Sequence, residues 1–359
     1  MKRLLARLLL VLVVLAVLFG ATEAVLRAQG YGAIPSIWFD PRMGTRFHPD
    51  QTRDIYAAGN RFMHTAQING LGLRGDEPDA AAAGDAGLRV VCLGDSFTFG
   101  WGVEDGETYP VQLEAALAAR TDAPVDVVNC GLPGYNTWQE ARAYEAIARP
   151  LDPDVVVIGW YLNDLDPLSF GTTGTLAPLD HPLAGTAILD YWVRKLRTGP
   201  RHFEFEGLDR ERADELKPFY DANRPLVEHN SGHADARPYV ERNLRDLGAL
   251  LDAIEADGSL PIVMVFPSAA QVDALVASRV NDPPEAYEEA RATIARIQAD
   301  VTELARSRDV AVVDLLEPYM DSEVRPYGEL DTSHPSVHGY AVAVSALVDA
   351  LDEAGALAR

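Results

Sequence analysis

Cysteine and positive charge are both scarce. Two cysteines, Cys92 and Cys130, stand in 359 residues. Two thiols build neither a disulfide framework nor, on their own, a zinc site. Each ends an apolar run and reads as a small buried hydrophobe, although a bridge between them stays open. The 31 Lys and Arg face 54 Asp and Glu, a net charge of -23. So acidic a surface repels nucleic acid, and no basic cluster lies beyond the extreme N-terminus. Solubility accounts for the acidity without a cationic partner. No segment repeats, and "GDSFTFG" lacks the Gly-Lys-Ser/Thr ending of a phosphate loop. No cofactor is expected.

What is present starts at the N-terminus. Lys2, Arg3 and Arg7 precede an unbroken apolar run over residues 8–19. That is the layout of an export signal. Extended over residues 4–25, the run approaches the ~20 residues that cross a bilayer. Cleavage after Ala24 would put Thr22 where a smaller residue is preferred, so an uncleaved anchor is expected. The basic flank stays in the cytoplasm, and the body of the chain then lies outside it. We divide the chain into a signal-anchor or transmembrane helix (1–28), an extended arm and linker (29–87) and a main domain (88–352).

Apolar residues are 48% of the chain, enough for a sizeable core. In the main domain, short continuous apolar runs alternate with helical spacing. Strands are expected at 88–94, 125–131, 153–161, 261–266 and 310–315. Helices are expected at 107–120, 138–148, 237–257, 284–307 and 336–353. Buried strands alternating with amphipathic helices predict an α/β fold with a mostly parallel five-stranded sheet covered on both faces. Right-handed crossovers make it a three-layer α/β/α sandwich of flavodoxin-like type. Residues 165–236 break the rhythm and read as an inserted subdomain or lid, because a structureless loop of that length is unusual.

In such sheets, sites form at the carboxyl ends of the strands. "GDSF" follows the first strand, "NCGLPG" the second, "YLND" the third and "DTSHP" the last. Ser96 alone reads as a helix cap. With the other segments it reads as a nucleophile: His334 can take its proton, and Asp331, three residues earlier, can hold the imidazole. The amides of Ser96 and Gly134 and the side-chain NH2 of Asn163 are candidate oxyanion donors. Asp95 reads as structural, and Asp164 as a local hydrogen-bonding partner. Two histidine pairs have i, i+4 spacing, His229/His233 and His334/His338. "EHNSGH" opposes a helix and His334 has another role, so no metal is expected.

These four blocks, in this order, resemble the SGNH (GDSL-type) hydrolase family over about residues 88–352. The resemblance implies the same sandwich and a serine esterase, lipase, deacetylase or acyltransferase activity. Residue by residue, Ser96 resembles the nucleophile, His334 the base, Asp331 its partner, and Gly134 and Asn163 the oxyanion donors. Two positions depart from the family pattern. Tyr161 stands where the third block usually has glycine, with Gly159 two residues earlier. Phe97 replaces the usual leucine, expected as harmless packing. A nucleophile elbow of the G-x-S-x-G type is excluded, because Thr98 stands where its second glycine belongs.

The expected activity is extracytoplasmic hydrolysis of a carboxylic ester through an acyl-enzyme, with a small-molecule or carbohydrate ester (an O-acetyl group included) as substrate. Two readings stand beside it: an O-acyltransferase acting on an envelope or secreted polysaccharide, and a non-catalytic carbohydrate-binding or scaffold protein. The intact serine, histidine and aspartate oppose the last.

Overall fold

In a computed structural model of the chain, the described residues are 2–28, 37–40, 42–57, 61–82, 84, 87–165, 237–329 and 332–358. The insertion expected at 165–236 lies outside them except for Leu165, and so do Asp331 and the His229/His233 pair. The first helix, α1 (Lys2–Ala28), takes up the N-terminal apolar run. Residues Ala6–Leu26 have a mean hydropathy of 2.6, and none of that window is buried against the rest of the chain. By length and composition this helix can cross a membrane.

Two antiparallel hairpins follow, β1 (Ile37–Asp40) with β2 (Gly44–Phe47), and β3 (Gln51–Ala57) with β4 (Arg61–Ile68). The stretch expected as short strands or an extended arm is thus folded. Beyond β4 the chain turns tightly around Asn69. Its Oδ1 accepts from the amides of Leu71 and Leu73, and its Nδ2 donates to the Asp76 carbonyl. Gly72 completes the turn at φ +76°, where a Cβ would sit 2.7 Å from the Phe47 carbonyl oxygen. Met43, Phe47, Ile55, Ala66, Ile68 and Leu73 are buried in the same apolar cluster as one face of the main sheet.

That sheet contains β5 (Leu88–Gly94), β6 (Val125–Gly131), β7 (Val155–Trp160), β8 (Leu260–Val265) and β9 (Ala311–Asp314). They pair in the order β6-β5-β7-β8-β9, all parallel. Alternate residues enter two cores. Val91, Leu93, Val156, Ile158, Val263 and Val265 face one, while Val90, Cys92, Val155, Val157, Ile262 and Met264 face the other. Two-sided burial explains why these strands read as continuous apolar runs. Each such side chain contributes about 1.5–3 kcal/mol on burial.

The helices are α2 (Ser96–Phe99), α3 (Tyr109–Ala118), α4 (Thr137–Ala143), α5 (Arg237–Ala256), α6 (Ala269–Asn281), α7 (Pro284–Ile294), α8 (Arg296–Arg306), α9 (Leu316–Met320) and α10 (Val337–Glu353). Residues of α4, α5 and α8 cover the first face, and residues of α3, α6 and α10 the second. The fold is the expected three-layer sandwich. Cys92 and Cys130 are both free and buried, one in each core, so the sheet itself separates them and no bridge forms.

Local departures have physical causes. Helix α6 was not expected. Ser268 and Gln271 form a capping box that starts it. The helix expected over 284–307 is broken at Ala295 into α7 and α8. There the Ile294 carbonyl accepts from Gln271 Nε2 at 2.8 Å, outside the helical ladder. The helix expected over 138–148 continues past α4 as one wide π-type turn over residues 144–148.

Candidate active site

Ser96 opens α2 immediately after β5. Asp95 is its N-cap, and Asp95 Oδ1 accepts from the Phe97 amide at 2.8 Å. The turn is packed against backbone on both sides. Thr98, fully buried, donates from Oγ1 to the Leu93 carbonyl at 3.2 Å. A Cβ on Gly94 would lie 2.1 Å from Thr98 Oγ1, and one on Gly159 2.4 Å from it. A Cβ on Gly131 would lie 2.2 Å from the Phe99 nitrogen. Three strand ends therefore present glycine so that the serine turn can sit down on the sheet.

His334 comes from the loop before α10, the helix that Ser336 caps through the Gly339 amide. Its loop is fixed by the Gly328 amide donating to the His334 carbonyl at 3.0 Å and the Ser336 amide to the Pro326 carbonyl at 2.8 Å. The Tyr340 hydroxyl donates to the Phe97 carbonyl at 2.9 Å, tying α10 to the serine turn. As a result Ser96 Oγ and His334 Nε2 lie 2.8 Å apart, in hydrogen-bond contact across 238 residues of chain. This arrangement can move the hydroxyl proton to the imidazole. His338, the other member of that pair, meets Ser322 Oγ at 2.8 Å instead.

Gly134 follows β6 at φ +79°, half-buried. Asn163 lies in a short 3-10 turn after β7, and its Nδ2 reaches the Tyr135 carbonyl at 3.5 Å. The second and third blocks thus meet beside the serine turn. The Asn163 side chain also lies beside Asp95. Burial pushes the Asp95 carboxyl up, while the Phe97 amide, the charge of His334 and the Asn163 side chain oppose that push.

Asp164 serves the local role expected of it. Its Oδ1 accepts from Thr137 Oγ1 at 2.9 Å and its Oδ2 from the Tyr161 amide at 2.8 Å. Asn243 of α5 extends the network, donating to Thr137 Oγ1 and the Asp164 carbonyl while accepting from the Trp160 indole. Behind it sits Glu140, a residue the sequence reading did not single out. Both its carboxylate oxygens are buried and without a hydrogen-bond partner among the described residues. Burial, together with the Asp164 and Asp95 carboxyls, holds its pKa well above the usual range. Burial and Asp95 likewise raise Asp164, whose donors pull back. The two carboxyls stand close together in a buried site, so a proton on one of them relieves their repulsion.

Aromatic rings surround the Ser96–His334 pair. Phe97 stacks on Tyr161 at 4.0 Å between centroids, and the His334 ring lies 5.1 Å from Phe97 and 6.3 Å from Trp101. Trp101 was missed in the sequence, although "FGWG" places it between two glycines just after the serine turn. Among the described residues no group of His, Cys, Asp and Glu is placed to hold a metal.

Solved structures to which the chain is similar include a lipolytic protein of the G-D-S-L family from Desulfitobacterium hafniense. It is 15% identical, with 74% of this chain and 99% of that chain covered and a TM-score of 0.42. A catalytic mutant of an acetylxylan esterase from Geobacillus stearothermophilus is 14% identical, covering 74% and 94% of the two chains, with a TM-score of 0.44. The psychrotrophic esterase EstA from a Pseudoalteromonas species is 13% identical, covering 74% and 97%, with a TM-score of 0.38. No curated protein matches the chain by sequence. The profile of one family matches residues 92–342, from within β5 into α10 and across all four blocks. By that match, over more than half of its length, the chain belongs to the GDSL-like lipase/acylhydrolase family and is an SGNH-type hydrolase of ester bonds.

Proposed function

We propose that the chain is an extracytoplasmic serine esterase, tethered to the membrane by α1, that cleaves a carboxylic ester through an acyl-enzyme. The observation that carries this reading is the 2.8 Å contact between Ser96 Oγ and His334 Nε2. Ser96 attacks the ester carbonyl as His334 takes its proton. The amides of Ser96 and Gly134 and the Asn163 side chain receive the charge that develops on the carbonyl oxygen. His334 then gives its proton to the leaving alcohol. Water, activated by the same imidazole, releases the acid and restores the serine. Asp331 is the proposed partner that holds the imidazolium. A basic flank at Lys2, Arg3 and Arg7 supports the placement of the main domain outside the cytoplasm.

Full-length protein in detergent, assayed with ethyl acetate and with a serine-directed fluorophosphonate, tests this. Wild type is expected to turn over the ester and to be labelled, and Ser96→Ala to lose labelling and at least about 10³-fold in kcat. Equal turnover by the two proteins would end the nucleophile assignment.

A further inference from the structure

Trp101 is held from both sides by the arm that precedes the main domain. It lies between Gly100 at φ +87° and Gly102 at φ +99°. Behind it, the Gly100 carbonyl accepts from Arg74 Nη1 at 2.6 Å. Ahead of it, the Gly102 amide donates to His64 Nε2 at 3.0 Å. Met63 packs at the same place, its Cε 3.3 Å from where a Gly102 Cβ would stand.

Arg74 does more than hold one carbonyl. Its side chain is 1% exposed, it also donates to the carbonyls of Phe99 and Val103, and its Nε pairs with Asp105 Oδ1 at 2.7 Å. Phe99 and Gly100 end the short helix that Ser96 begins, so the guanidinium satisfies carbonyls that helix leaves open. The tight turn around Asn69 is what delivers Arg74 to this position. A buried cation and a histidine from one segment therefore fix the backbone of a residue that belongs to another.

The residue so fixed is placed for binding. The Trp101 ring is half-buried, its centroid 6.3 Å from the His334 ring. Its indole N–H has no hydrogen-bond partner among the described residues. His334 protonates the departing alcohol, so a surface beside His334 meets the alcohol portion of the ester. A flat apolar face with one free donor fits a ring that has an apolar C–H face and a rim of hydroxyls. A neutral pyranose has both. An anionic alcohol would meet a chain with a net charge of -23.

We propose that Trp101 seats a sugar ring as the alcohol part of the ester, and that His64 and Arg74 of the arm are its positioning residues. The inference rests on the esterase reading above. Its specific content is that the arm is part of the substrate site.

The test compares an acetylated neutral sugar, acetylated methyl glucoside, with ethyl acetate, whose alcohol has no ring. The readout is the ratio of kcat/KM for the two esters. Trp101→Ala should lower that ratio at least tenfold, chiefly through KM for the sugar ester, and Trp101→Phe, which keeps a flat ring, should retain most of it. His64→Ala should lower the ratio at least threefold, and His64→Gln, whose amide oxygen can accept from Gly102, should restore it. A ratio within twofold of wild type in Trp101→Ala overturns the sugar seat. An unchanged ratio in His64→Ala overturns the role of the arm. Failure of wild type to cleave either ester, with no fluorophosphonate labelling, would sink the esterase reading instead.

Discussion

Tyr161 stacks on Phe97 with ring centroids 4.0 Å apart and planes inclined by 25°. These are the two positions at which the motif blocks depart from the family pattern, and in the fold they are one feature. The ring at 161 covers the ring at 97, and the backbone amide of Tyr161 still donates to Asp164 Oδ2. The turn that carries Asn163 is therefore held in spite of the bulky residue. Such a stack contributes about 0.5–1.5 kcal/mol beyond the burial of its area. Phe97→Leu and Tyr161→Gly, singly and together, should show a coupling of about 1 kcal/mol in urea unfolding. Additive losses would mean that the two rings do not support each other.

Gly159 takes over the close approach that a glycine at 161 would suggest. An added Cβ would stand 2.4 Å from Thr98 Oγ1, and Thr98 is pinned to the Leu93 carbonyl. Gly159→Ala should cost about 1–3 kcal/mol, as overpacking of a filled core does. Removing the hydroxyl in Gly159→Ala/Thr98→Ala should return part of that loss, measured by the shift in the unfolding midpoint. No recovery would place the strain elsewhere.

Glu140 is predicted to be neutral in the folded protein. Its amide analogue Glu140→Gln should then unfold within about 1 kcal/mol of wild type at pH 7, since no buried charge is removed. Asp164→Ala should behave quite differently. It takes the acceptor from the buried Thr137 hydroxyl and from the Tyr161 amide, and a buried donor that loses its acceptor costs about 1–3 kcal/mol. A large loss in Glu140→Gln, equal to that of Asp164→Ala, would show that Glu140 is charged.

His64 makes stability depend on pH. Burial first, and the Arg74 charge second, push its pKa down to about 4 from an ordinary value of 6.5. The unfolded chain therefore binds an extra proton between those values, and the contribution of neutral His64 is present in full above pH 6.5 and is lost as pH falls towards 4. From pH 7 to pH 5 wild type should lose about 2 kcal/mol more than His64→Gln. Parallel denaturant midpoints for the two proteins across that range would contradict this.

Much of the fold was legible because the β-rich runs "VVCLG", "VDVVNCG" and "VVVIGW" are buried on both faces, which leaves a continuous apolar signature. The Ser96–His334 pair was legible because Ser96 directly follows the end of β5 and His334 lies in a short motif just before the last helix. Glu140 and Arg74 were not. Both are charged residue types, which composition assigns to the surface, and each is buried by partners far away in sequence. Arg74 needs Asp105 and three carbonyls that no local pattern announces. Trp101 was hidden differently: an aromatic between glycines reads as an ordinary loop until His334 is placed beside it. The break at Ala295 depends on Gln271, in the preceding helix.

If α1 anchors the chain as proposed, the arm's insertion into the core also limits how far Ser96 can travel from a bilayer. Phe47 of β2 is already buried in the core of the main domain, and the lead from α1 to β1 is residues 29–36. Fully stretched from Ala28 to Ile37, that lead spans no more than about 30 Å. If α1 stays in the bilayer as proposed, a molecule so short-leashed works at the lipid surface. Under that proposal its esters would have to be brought to the membrane, or made there, and polymer strands further out would be beyond its reach.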